Sequence, residues 1–214
     1  MNSERQPRPW FRNPYVLYFV IGVILLTGAR LLWPEKSPVP PLLVELPAWE
    51  LTDQDGAPFG SADLEGRIYI ASFFFTRCKT ICPTLTRSMR SLQDSLAEEG
   101  IDTDTVKLVS ISVDPEYDTP LKLRAFAQLH GVDPARWTLL TGDRDAIRNL
   151  LEDGFMVGMG ELSEPTAGLF DIAHSAKFAL VDRSAGMRGH YASEGHERDI
   201  VLQHAIYLAG HPQP

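Results

Sequence analysis

Cysteine is nearly absent, with two residues in a chain of 214. That excludes a disulfide-rich scaffold and a zinc site built from four thiolates. Basic side chains are also scarce, 20 against 28 acidic ones, for a net charge of −8 at pH 7. Such a chain lacks the basic patches that neutralise phosphates, so no nucleic-acid partner is expected. The sequence has no internal repeat and no low-complexity tract. Its length leaves no room for two large domains and suits one ordinary domain with an appendage. Hydrophobic residues at 44% and charged residues at 22% lie near the globular average, which excludes wholesale disorder.

Charge is missing altogether from Pro14 to Ala29, 16 residues in succession. Arg30 interrupts, and Leu31, Leu32 and Trp33 extend the run to 20 residues. As a helix this is about 30 Å, enough to cross the hydrocarbon core. Arg30 lies within a turn of the far end and can snorkel to the headgroups, while Tyr15, Tyr18 and Trp33 suit the interfaces. Residues 14–33 therefore read as a single transmembrane helix. Arg5, Arg8 and Arg12 precede it, opposed only by Glu4. The positive-inside rule then leaves residues 1–13 in the cytoplasm and exports everything after Trp33. The rival reading is a cleaved signal peptide cut near Thr27-Gly28-Ala29, which exports the domain equally well.

Beyond residue 33 the chain keeps 16 basic and 27 acidic side chains, net −11, which serves solubility. Residues 34–47 contain Pro34, Pro38, Pro40, Pro41 and Pro47 and read as a stiff linker of roughly 40 Å. The main domain then occupies residues 48–214. Within it, Ile68–Phe75 and Val106–Val113 are apolar runs rich in strand formers, as in strands covered on both faces. Pro83–Glu99 is a helix by the spacing of Leu85, Met89, Leu92 and Leu96, with Gly100 as its stop. Thr119–His130 and Asp143–Leu151 are further helices, Trp137–Leu140 a short strand, and Phe178–Val181 pairs with Arg188–Tyr191 across a turn. Arg198–Leu208 closes the chain as an amphipathic helix. Strands alternating with helices imply an α/β sheet with parallel members. The segment 154–168 matches no element and is either a surface excursion or a functional loop.

Both cysteines fall in Thr76-Arg77-Cys78-Lys79-Thr80-Ile81-Cys82-Pro83, after a strand and at the opening of a helix. Ligand sites of open α/β sheets lie there, and the positive helix end together with Arg77 and Lys79 favours thiolates. A structural disulfide across so short a loop removes little chain entropy. Thiol exchange and soft-metal binding both remain open, and of the metals two thiolates suit Cu(I) best. Among six histidines, His130 reads as a helix cap, and His190, His196, His204 and His211 as solvated side chains. His174 precedes the strand from Phe178 and could reach the cysteines if the two strands are neighbours. Met156 and Met159 read as gap-fillers rather than ligands.

The run Phe73-Phe74-Phe75-Thr76-Arg77-Cys78-Lys79-Thr80-Ile81-Cys82-Pro83-Thr84 resembles the aromatic strand and Cys-x-x-x-Cys-Pro loop of the Sco/SenC family. Ser112-Val113-Asp114-Pro115-Glu116-Tyr117-Asp118-Thr119-Pro120 is similar to that family's Ser-Val-Asp-Pro segment, the longest specific match, and His174-Ser175 with Leu180-Val181-Asp182 to the region of its distal histidine. Two positions depart from the pattern: Lys79, where many members have proline, and Ala173, where many have an acidic residue. The resemblance spans residues 50–208 and the anchor. It implies a thioredoxin-like fold, a central mixed sheet flanked by helices. It implies Cys78, Cys82 and His174 as ligands of one copper per chain, Cu(I) or Cu(II), with Cys78 and Cys82 also able to act as a redox dithiol. It further implies a metallochaperone or thiol reductase for the dinuclear copper centre of cytochrome c oxidase. The partner would be the copper-bearing subunit of that oxidase or another cuproprotein. The implied location is a bacterial inner membrane with the C-terminal domain in the periplasm, in preference to a mitochondrial inner membrane. An exported thiol–disulfide oxidoreductase or redox sensor independent of copper is the alternative.

Overall fold

The computed structural model describes residues 14–32, 40–78, 82–158 and 176–211, without the side chains of residues 29–32. The chain forms two compact units, Met1–Ser37 and Pro38–Pro214. In the first, helix α1 spans Pro14–Leu32. Of the expected span 14–33, Trp33 and the side chains of residues 29–32 lie outside the described residues, and among those described no helix is long and apolar enough to cross a membrane.

The second unit is built on one mixed sheet of eight strands in the order β1-β8-β7-β4-β5-β6-β2-β3. The strands are β1 (Val44–Glu45), β2 (Glu50–Asp53), β3 (Pro58–Gly60), β4 (Ile68–Phe74), β5 (Val106–Ser112), β6 (Trp137–Thr141), β7 (Lys177–Val181) and β8 (Gly186–Ala192). The helices are α2 (Cys82–Glu98), α3 (Pro120–His130), α4 (Arg144–Asn149) and α5 (His196–Gly210). The centre, β4-β5-β6, is parallel, while β7 joins β4 antiparallel. Every residue of β4 is buried. Ile68, Ile70 and Phe74 face α2 and α5, together with Leu85, Met89, Leu92, Leu96 and Val201. Tyr69, Ala71 and Phe73 face the other way, onto Ile147, Leu151 and Phe155. The period-2 alternation of a strand thus serves two cores at once.

Polar groups within these layers are paired. Ser72 and Ser110 are 2.7 Å apart between neighbouring strands, and Trp137 Nε1 donates to Ser110 at 2.9 Å. Pro120 starts α3 with its fixed φ, and Gly131 ends it at φ 65°. Asp143 caps α4 by accepting the Asp145 and Ala146 amides.

Three observations go beyond the pattern reading. Val44 and Glu45, within the stretch taken as linker, pair with Met187 and Gly186 of β8. The helix expected over Asp143–Leu151 is α-helical only to Asn149 and widens to a π turn over Leu150–Gly154. That widening sends Leu150, Leu151 and Phe155 into the core, so the unassigned segment begins as packed structure; its residues 159–168 lie outside the described ones.

Leu96 is fully buried near the far end of α2 from Cys82. Leu96→Ala should lower unfolding stability by about 2–5 kcal/mol. Urea unfolding of the full chain in detergent, followed by tryptophan fluorescence, checks this.

Candidate metal centre

β4 and β5 pair in parallel from Ile68 opposite Val106 to Phe74 opposite Ser112. Both therefore release their loops at the same end, side by side, where an open α/β sheet places its ligands. From β4 the chain passes through Thr76 and Arg77 to Cys78; from β5 it turns through Asp114 to Asp118 before α3. Val113 N–H donates to Phe74 O at 2.9 Å, carrying the pairing one step past the strand ends.

Cys82 opens α2 and is 7% exposed, whereas Cys78 is half-buried. Neither cysteine is in a disulfide, and the Cys82 amide donates to Cys78 Sγ at 3.4 Å. Such a bond strengthens when the sulfur carries charge. Burial pushes the Cys82 thiol far above its ordinary range; a backbone hydrogen bond from Phe75 opposes this, and Cys78 and Asp118 add to it.

Two buried carboxylates bind the residues leading into Cys78, and pattern reading did not single them out as site residues. Asp118 accepts the Thr76 amide at 2.9 Å, the Thr76 hydroxyl, and the Ser112 hydroxyl at 2.6 Å. Asp114 accepts Arg77 Nε at 2.5 Å, a bond that holds the guanidinium above its usual pKa. Arg77 also lies 5.0 Å over the Tyr117 ring, and Lys122 Nζ 3.2 Å over the same ring. The visible signal was the Ser112–Pro120 match, polar residues closing an apolar strand; Arg77, partner of Asp114, and Thr76, partner of Asp118, lie 37 and 42 residues away.

His174 and Met159 lie outside the described residues. The chain is described again from Ala176, which packs on the same apolar cluster as Cys78 and Cys82. β7 starts at that end, since Phe178 pairs with Ser72 and the strand runs away from the cysteines. Of the histidines read as solvated, His211 stacks on the Tyr207 ring at 4.0 Å, and two others are drawn into the structure. His190 Nε2 is 2.9 Å from Phe155 O, and His204 Nδ1 is 2.9 Å from the Tyr191 hydroxyl; burial lowers the pKa of both imidazoles. His130 stacks on Phe126 at 4.2 Å, and Met156 is exposed. Among the described residues no group of three or more His, Cys, Asp or Glu side chains could hold a metal ion. The donor set they do offer is two soft sulfurs, which fits copper better than a hard cation.

A mixed sheet with a cysteine pair between a central parallel strand and its helix defines the thioredoxin-like class. The SCO1/SenC family model matches residues 44–208, and the chain belongs to that family. It is 34% identical to a candidate copper-binding protein of Stutzerimonas stutzeri, over 68% of this chain and 68% of that one. It is similar to the crystal structure of a SCO1/SenC family lipoprotein from Bacillus anthracis, with TM-score 0.69 and 33% identity over 77% of this chain and 95% of the other. It also superimposes on BsSco, a member of the Sco family of cytochrome c oxidase assembly proteins in which a disulfide switch was identified. There the TM-score is 0.70 and the identity 28%, over 80% and 97% of the two chains.

The different burial of the two thiols has a measurable outcome. A thiol pushed upward stays protonated at neutral pH and alkylates slowly. In the reduced, metal-free chain, iodoacetamide should modify Cys78 first at every pH from about 7 to 9. Peptide mapping that finds Cys82 labelled first would contradict the assignment.

Proposed function

We propose that the chain is a membrane-tethered copper chaperone that carries copper as its cargo on Cys78, Cys82 and His174. The recipient is the dinuclear copper centre of cytochrome c oxidase or a similar cuproprotein. The observation that carries this reading is the pair of cysteines, not joined by a disulfide, linked by the Cys82 N–H to Cys78 Sγ contact at the end of the sheet where β4 and β5 release their loops. Two sulfurs suit Cu(I), and an imidazole supplies the nitrogen that Cu(II) prefers. His174 is supported as the third ligand by its place two residues ahead of Ala176, which packs against the cysteine cluster. Family membership and the copper-binding and oxidase-assembly relatives agree with this reading.

The second reading is an exported thiol–disulfide oxidoreductase. The observation in its favour is the same adjacent thiol pair, alongside the disulfide switch of BsSco. His174 separates the two, because thiol exchange depends on thiolate reactivity and access and needs no imidazole ligand. The full reduced chain in detergent should bind one copper, lost in Cys78→Ser and in Cys82→Ser. His174→Ala should weaken Cu(II) roughly tenfold or more and alter the thiolate-to-Cu(II) absorption, since even outer partners of ligands cost that much. Its dithiol potential should stay at the wild-type value. Full stoichiometry in the serine variants ends the chaperone reading; unchanged Cu(II) binding in His174→Ala favours the oxidoreductase.

The tether is residues 14–33, a single pass with the copper domain on the exported, periplasmic face. The support is the apolar run, the preceding arginines and the helix Pro14–Leu32. Protease added to intact spheroplasts should release the domain. Protection until the membrane is permeabilised reverses the orientation.

A further inference from the structure

One carboxylate ties together the exits of the two central strands. Asp118 is fully buried and accepts both donors of Thr76, two residues ahead of Cys78, and the hydroxyl of Ser112, the last residue of β5. A second tie runs alongside it, from Arg77 to the buried Asp114. The two acidic residues belong to one turn, in which Asp118 N–H donates to Asp114 O at 2.8 Å. Both residues that lead into Cys78 are thus held from the same side. Across from them Cys82 is held as the buried first residue of α2. In this arrangement the two sulfurs are not joined to each other and Cys78 Sγ accepts the Cys82 amide. A disulfide brings two sulfurs to about 2.05 Å. Closing one here has to move a sulfur, and the ties at Thr76 and Arg77 oppose movement of Cys78.

We propose that Asp118 is a positioning residue that holds Cys78 in the open dithiol arrangement, favouring capture of a soft metal by two sulfurs over closure of a Cys78–Cys82 disulfide. This rests on the reading of the two cysteines as the working pair. A purely structural role for Asp118 lowers the stability of the reduced and oxidised chains alike and leaves the balance between them unmoved. A positioning role acts on one form only. Loss of the tie then shifts the dithiol–disulfide equilibrium toward the disulfide.

The test uses the full-length, metal-free chain in detergent, equilibrated with mixtures of reduced and oxidised glutathione. Oxidised glutathione takes up the two electrons and two protons that the two thiols give up. Asp118→Ala and Thr76→Val should each shift the equilibrium about tenfold toward the disulfide, a potential about 30 mV more negative. Asp118→Asn keeps an acceptor for the Thr76 amide and should shift it less. Leu96→Ala is the control for lost stability and should keep the wild-type potential. The proposal is overturned if Asp118→Ala and Thr76→Val, both folded by circular dichroism, keep that potential, or if Leu96→Ala moves it as far. Should Asp118→Ala not fold, Thr76→Val alone decides. Copper binding by Cys78→Ser is measured in parallel. Retention of copper there refutes the cysteine-pair reading itself, whereas loss of copper beside unchanged potentials refutes only the role of Asp118.

Discussion

The parallel, in-register pairing of β4 with β5 is the constraint on which the rest of the site depends. Parallel strands end on the same side, so the segment leading to Cys78 and the turn carrying Asp114 and Asp118 emerge as neighbours. A slip of one residue would turn Phe74 and Ser112 to opposite faces and undo the Ser112 to Asp118 bond. The register is held by burial on both faces of β4 and by the Ser72–Ser110–Trp137 hydrogen bonds at its middle. The chemistry at the strand ends is thus set by packing that begins two residues below it.

The site is also an arrangement of charge in an acidic protein. Two carboxylates are removed from water beside the segment leading into Cys78, a costly placement that their donors must offset. Arg77 and the hydroxyls of Thr76 and Ser112 do so; Thr76 and Arg77 thereby fix the backbone leading into Cys78, and Ser112 the turn after β5. Hydrogen bonds to ionised groups are the stronger kind, so the same contacts that satisfy the buried charge make this corner rigid.

What pattern reading caught and what it passed over follow from the range of each signal. Ile68–Phe74 and Val106–Ser112 were legible because a strand buried on both faces is apolar throughout. α2 was legible from Leu85, Met89, Leu92 and Leu96, with an error of one residue at each end. The strand Val44–Glu45 was not, because two residues carry no periodicity and proline-rich neighbours suggest a spacer. The π turn at Leu150–Gly154 was hidden, since adding one residue to a turn leaves the apolar spacing helix-like. The cysteines announced themselves by position between a strand and a helix. Asp118 fell within the Ser112–Pro120 match, but its role was not legible, because its partner Thr76 is 42 residues away and only the fold brings them together. His190 and His204 were read as solvated for the same reason, their partners being Phe155 O and the Tyr191 hydroxyl.

The short strand β1 bears on how the molecule can be cut down for study. Leu43 and Leu46 donate to Met187 and Ala185, the Leu46 side chain is buried, and Leu42 packs so close to Gly186 that a methyl group there would collide with it. A shortened chain starting at Trp49, the natural place to trim a proline-rich spacer, would discard all of this. It would bare the Gly186–Met187 end of β8, a row of unpaired amides and carbonyls open to another strand. Two trimmed molecules would then meet edge to edge, and their association would reflect the cut. Trimming ahead of Pro38 keeps the edge covered.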